Sequence, residues 1–70
     1  MWVKAKGDKL VNLSRMSTIY VREILDAYEV WADDTEEGHS LASFRTLAQA
    51  QDHLNVLETL LKDESRTHPA

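Results

Sequence analysis

The sequence predicts an α+β domain: an antiparallel β-meander of four to five strands with one C-terminal amphipathic helix packed on one face. Three observations predict it. Up to residue 44 the chain is a series of short alternating apolar and polar runs separated by polar corners, the period-two pattern of half-buried strands. Two of these runs flank Gly7-Asp8, a hairpin signal. From Thr46 the period changes, and Leu47, Ala50, Leu54, Leu57 and Leu61 follow at steps of three and four, one apolar stripe on a helix. Strands followed by a helix, rather than alternating with helices, indicate α+β.

The first hairpin is expected over about 2–6 and 10–13. A two-residue loop would set Lys6 opposite Lys9, and like charges facing each other are unfavourable. A three-residue loop, Gly7-Asp8-Lys9, pairs Lys6 with Leu10, Ala5 with Val11 and Val3 with Leu13. It gathers Val3, Ala5, Val11 and Leu13 on one face, and register follows the buried face. A longer loop with the same facing is the alternative. Ser14-Arg15-Met16 is a polar connection. "STIYVREI", 17–24, is rich in β-branched and aromatic residues, which favours a strand. Leu25-Asp26 turns the chain into "AYEVWAD", 27–33, where Tyr28, Val30 and Ala32 alternate with Glu29, Trp31 and Asp33. The polar loop 34–38 leads to a last strand over 39–44. Thr46 caps a helix over about 46–63, with Gln49 three residues on completing a capping-box pattern, and Val56 and Leu60 widen its stripe. The domain spans 1–64, and "SRTHPA", 65–70, is a polar tail.

Seventy residues allow one domain. A chain this short has a marginal core, and small folds usually add a disulfide, a metal or a partner chain. There is no cysteine, so association with another chain is the staple left open. The hydrophobic share of 43% and charged share of 29% suit a soluble domain, and the cysteine-free composition suits a reducing cytoplasm. No apolar run approaches the ~18 residues of a membrane span, and Met1-Trp2 opens no basic-then-apolar leader. Eight basic against twelve acidic residues leave a net charge of −4, which opposes nucleic-acid binding driven by phosphate neutralisation.

Alternation divides the side chains between two sheet faces. Val3, Ala5, Val11, Leu13, Ile19, Val21, Tyr28, Val30 and Phe44 belong under the helix. The opposite face then carries Trp2, Leu10, Tyr20, Ile24, Trp31 and Leu41, mixed with Lys4, Lys6, Arg22, Glu29 and Arg45. One helix cannot cover both faces, and this is a large apolar surface for a small monomer to expose. Four readings compete. The sheet curls and its side chains cover one another, with lysine and arginine stems along the rings. The face or an edge packs against a second copy, through a patch containing Trp2, Tyr20, Trp31 and Leu41. The aromatics stack bases while Lys4, Lys6 and Arg22 hold phosphates. A small molecule or peptide is bound there.

Chemistry-bearing motifs are sparse. His39, His53 and His68 lack zinc-site spacing, and the acidic run 33–37 lacks the ligand spacing of an EF-hand. The serines sit in no nucleophile motif, and two glycines in the whole chain make no phosphate loop. No catalytic residue, metal site or cofactor is expected, so the chain is read as a non-enzyme.

The opening "MWVKAKGDKLVNL" resembles small uncharacterised bacterial and phage-associated proteins, which begin with a tryptophan-containing strand, turn at an Asp-Gly-type corner and return through a Leu-Val-Asn-Leu-like strand. "YEVWAD…HSLASFRTLAQAQDHLNVL" is similar to their ending, a strand leading through an aromatic into a Ser/Thr-capped helix. The likeness covers roughly 1–62; this chain has Gly-Asp in place of Asp-Gly, and Ala5 where a polar residue is frequent. It implies a compact sheet-plus-helix fold, with no activity and no functional residue. The sequence is therefore read as a cytoplasmic, self-associating interaction module, a dimer by preference, with a partner protein of unstated identity. The alternatives are nucleic-acid or anion binding through Lys4, Lys6 and Arg22, with the net charge against it, and service as a regulatory or accessory subunit.

Overall fold

A computed structural model of the chain describes residues 1–67, with side chains through Glu64. It is α+β, with five antiparallel strands in two sheets and one C-terminal helix. Strands β1 (Trp2–Ala5) and β2 (Lys9–Asn12) form a hairpin, and a 3-10 turn follows at Leu13–Arg15. Strands β3 (Thr18–Ile24), β4 (Ala27–Asp33) and β5 (Gly38–Phe44) form a meander, followed by helix α1 (Leu47–Thr67).

The hairpin keeps the expected facing but not the expected register. Ala5 pairs with Lys9 and Val3 with Val11, so the loop is Lys6-Gly7-Asp8 rather than Gly7-Asp8-Lys9. Moving both strands by one residue leaves the same side chains inward, so facing alone could not choose between the two. The observed loop places two adjacent residues at positive φ, Gly7 at 82° and Asp8 at 60°, residue types that tolerate the left-handed region. It also frees Lys6 from the ladder. The Lys6 N–H donates to the Ser40 carbonyl at 3.0 Å, which places β1 beside β5. β1 and β5 are therefore neighbours across the two sheets, and β2 and β3 are the strands farthest from this contact.

Strands β3 and β4 pair without interruption from Thr18–Asp33 to Ile24–Ala27. Leu25-Asp26 is the two-residue loop, with Leu25 at φ 52° and 92% exposed. A positive φ at the first loop position is the sign pattern of a type II′ turn, a place normally held by glycine.

Between β4 and β5 the register slips once: Val30 pairs with Ala42, but Trp31 pairs with Ser40. Leu41 is the extra residue of this bulge, and it is only 7% exposed. This overturns the expectation that Leu41 faces away from the helix. Unbroken alternation puts Leu41 and Phe44 on opposite faces; the bulge absorbs one step and turns both towards the core.

The core joins Ala5, Val11 and Leu13 to Val30, Ala32 and Leu41, under Ala50 and Leu57 of the helix. Ile19, Val21, Tyr28, Phe44, Leu54 and Leu61 surround them. Each fully buried aliphatic side chain contributes about 1.5–3 kcal/mol. The helix starts where its cap predicts: Thr46 Oγ1 accepts from the Gln49 N–H at 3.2 Å. It continues through Thr67, past the expected end near residue 63, so 65–67 are helical rather than tail; 68–70 lie outside the described residues. Val56 and Leu60, which widen the stripe, stay exposed.

Candidate functional site

The helix-distal face of the sheet is built around Glu29. This residue sits mid-strand on β4, between the inward-facing Tyr28 and Val30, and it is buried. Its carboxylate accepts from Lys6 Nζ at 2.7 Å through Oε2, and from Trp31 Nε1 at 3.0 Å and Ser40 Oγ at 3.3 Å through Oε1. Hydrogen bonding from Lys6 is the main cause that holds the Glu29 carboxyl below its ordinary range. Desolvation opposes it, and Trp31, the Lys6 charge and Ser40 add to the lowering.

Two aromatics flank this centre. Tyr20 on β3 pairs directly with Trp31 on β4, so both side chains lie on one face, and both are half-buried. The Tyr20 hydroxyl donates to Asp33 Oδ1 at 3.2 Å. Burial first, then this hydrogen bond and the Asp33 charge, push the Tyr20 phenol up, while the Arg22 charge pulls it down. The Arg22 guanidinium lies 5.1 Å from the centre of the Trp31 ring, a cation–π arrangement. Gly38 lets the ring lie close: a Cβ there would come within 3.1 Å of the indole and 2.5 Å of Asp33 Oδ1.

Lys6 alternates in phase with Trp2 and Lys4, and it reaches Glu29, so the outer face of the hairpin continues this surface. At that end Trp2 is 66% and Leu10 67% exposed. Pairing Trp2 with Asn12 and Lys4 with Leu10 makes Trp2 and Leu10 diagonal neighbours on one face.

Of the residues expected in the interaction patch, the fold brings Tyr20 and Trp31 together, sets Trp2 at the hairpin end and turns Leu41 into the core. Leu10 takes its place beside Trp2, where strand alternation already pointed. The cations proposed to hold phosphate are each engaged: Lys4 with Asp8 at 3.1 Å, Lys6 with Glu29, and Arg22 over Trp31.

A second cluster lies in the β4–β5 loop. Donor atoms of Asp34, Glu37 and His39 fall within 4.8 Å of one another, and His39 Nε2 lies 3.6 Å from Asp34 Oδ2 and 3.7 Å from Glu37 Oε1. Sequence spacing missed this convergence because β5 turns His39 back over the loop. Asp34 Oδ1 accepts from the N–H groups of Glu36 and Glu37, both at 2.7 Å. Those bonds are the leading cause that lowers the Asp34 carboxyl, with His39 adding to it. These three residues could hold a cation by distance alone. However, His39 Nδ1 is buried with no hydrogen-bond partner, whereas the second nitrogen of a metal-bound imidazole is normally held by an outer partner. The arrangement is accounted for as loop closure.

Val56 and Leu60, with Asn55 and Thr59, line a shallow apolar groove of about 240 Å³ on the helix. Among the described residues, no helix is long and apolar enough to cross a membrane.

Fold and site together define a small α+β domain with a charge-matched aromatic sheet face opposite its helix. No family model, no curated protein and no solved structure matches the chain.

Proposed function

We propose that this protein is a non-enzymatic, cytoplasmic interaction module that self-associates through its sheet, by the helix-distal face or by a strand edge, and offers the hairpin end to a partner protein. The observation that carries the reading is the state of that face: no helix covers it, and it keeps aromatic groups at both ends, Tyr20 and Trp31 near β3 and Trp2 on the hairpin. Aromatics and arginine are the residues enriched at protein interfaces, and a seventy-residue chain without cysteine gains most from a partner. The engagement of Lys6 by the buried Glu29 carboxylate, beside a net charge of −4, argues against phosphate binding, because that contact would first have to break.

Sedimentation over a micromolar concentration series tests this at physiological ionic strength, where the charge of −4 is screened. Dimer mass is expected. Trp31→Glu, which removes the shelf under Arg22, weakens the dimer at least about tenfold, the effect of roughly 1.4 kcal/mol at an interface. Monomer throughout the series overturns self-association.

A further inference from the structure

We infer that two copies join along β3, antiparallel, with Val21 on the two-fold axis. This rests on the self-association reading and specifies its geometry. Strand β3 is the terminal strand of the sheet and pairs with β4 over its whole length without a bulge. Its seven residues, TIYVREI, contain no proline and no lysine, and of the devices that blunt an edge it carries only the two charges Arg22 and Glu23. The outer strand of the hairpin, β2, is shorter and begins at Lys9.

The hairpin fixes which backbone groups are free. Its two-residue loop makes Ile24–Ala27 the closing hydrogen-bonded pair, so even-numbered residues of β3 bond to β4. Ile19, Val21 and Glu23 then direct N–H and C=O groups outward.

A two-fold axis normal to the sheet pairs some residue of the strand with itself, so only a few registers exist. Centring on Arg22 or Glu23 sets like charges face to face, which is unfavourable. Centring on Tyr20 leaves Glu23 and Ile24 unpaired. Centring on Val21 uses all seven residues and opposes no like charges. It sets Tyr20 beside Arg22 of the partner subunit, Ile19 beside Glu23 of the partner subunit and Thr18 beside Ile24 of the partner subunit. The outward backbone groups of Ile19, Val21 and Glu23 all find partners. On the helix-distal face, each Tyr20 gains a cation against its ring. The two hairpins, with Trp2 and Leu10, come to lie at the far ends of the dimer, open to a further protein.

A single engineered cysteine tests the register, since the chain has none. Val21→Cys places two thiols across the axis at a hydrogen-bonded pair, with Cα atoms about 5.5 Å apart, too wide at Cβ for an unstrained disulfide but within reach of a short bis-thiol crosslinker. That reagent is expected to convert it to a covalent dimer. Thr18→Cys, whose two copies would be roughly 20 Å apart, stays uncrosslinked. Hydrogen exchange on the unmodified protein gives a second reading: at a protomer concentration ten times the dimer Kd, where about one chain in five is monomeric, the amides of Ile19, Val21 and Glu23 slow about fivefold. A dimer in which a folded Val21→Cys does not crosslink, or in which these amides exchange independently of concentration, overturns the β3 join and leaves self-association standing. A protein that stays monomeric overturns both. Should Val21→Cys fail to fold, the exchange result alone decides.

Discussion

Lys6 Nζ lies 2.7 Å from Glu29 Oε2, and this contact crosses from the hairpin to the middle of the three-stranded sheet. Together with the Lys6 N–H bond to the Ser40 carbonyl, it makes one turn residue a double attachment between two sheets. The attachment exists because the loop begins at Lys6 rather than after it.

The two ends of this ion pair are unequal, and their substitutions should show it. Lys6 is half-exposed, so its share is screened by solvent. Lys6→Met should cost about 1 kcal/mol, and Glu29 keeps Trp31 and Ser40. Glu29→Ala strands three donors at once and should cost about 2–3 kcal/mol. Urea unfolding measures both; equal costs would mean that Trp31 and Ser40 do not depend on Glu29.

Acid should act through the same residue. The Glu29 carboxyl is held below its ordinary range chiefly by the Lys6 hydrogen bond. A carboxylate depressed by folding contributes stability above its unfolded pKa of about 4.3, and the contribution is lost as pH falls through the folded value. Glu29→Gln should therefore be less stable than the parent at pH 7 and should lose less on going below about pH 4.3. Asp34 and Glu64 are also lowered, so the acid limb shrinks without vanishing. Parallel stability curves for the two proteins would sink the assignment to Glu29.

The β3–β4 turn holds stored strain. Leu25 has φ 52°, a conformation that costs a non-glycine residue roughly 1–2 kcal/mol, and its side chain is exposed. Leu25→Gly should raise stability by about 0.5 kcal/mol after the entropy glycine loses on folding. A lower melting temperature would show that Leu25 makes a contact worth more than the strain.

Much of this fold was legible in the residues. The helix cap at Thr46, the stripe from Ala50 to Leu61 and the turn at Leu25-Asp26 are local signals, and they appear where the sequence places them. Facing was legible too, since Ala5, Val11 and Leu13 all reach the core. Register was not: loops differing by one residue on each side give the same facing, and the choice depended on Ser40 and Glu29, distant in sequence. Leu41 misled for a related reason. Its strand has apolar residues three apart, Leu41 and Phe44, which strict alternation cannot bury together. The Glu29 network was invisible because it assembles a lysine, a tryptophan and a serine from three separate strands and turns.

The bulge at Leu41 also bears on how this chain can change length. Insertions and deletions ordinarily survive in loops. Here the β4–β5 ladder already carries one residue that it does not count, so losing a residue at 41 would leave Trp31 opposite Ser40 and Val30 opposite Ala42, as they are now. The cost would be a hole of one leucine in the core, not a strand turned inside out. Strand β5 is thus a place where the gene can lose a codon inside a sheet without rewriting which side of the protein each neighbour faces.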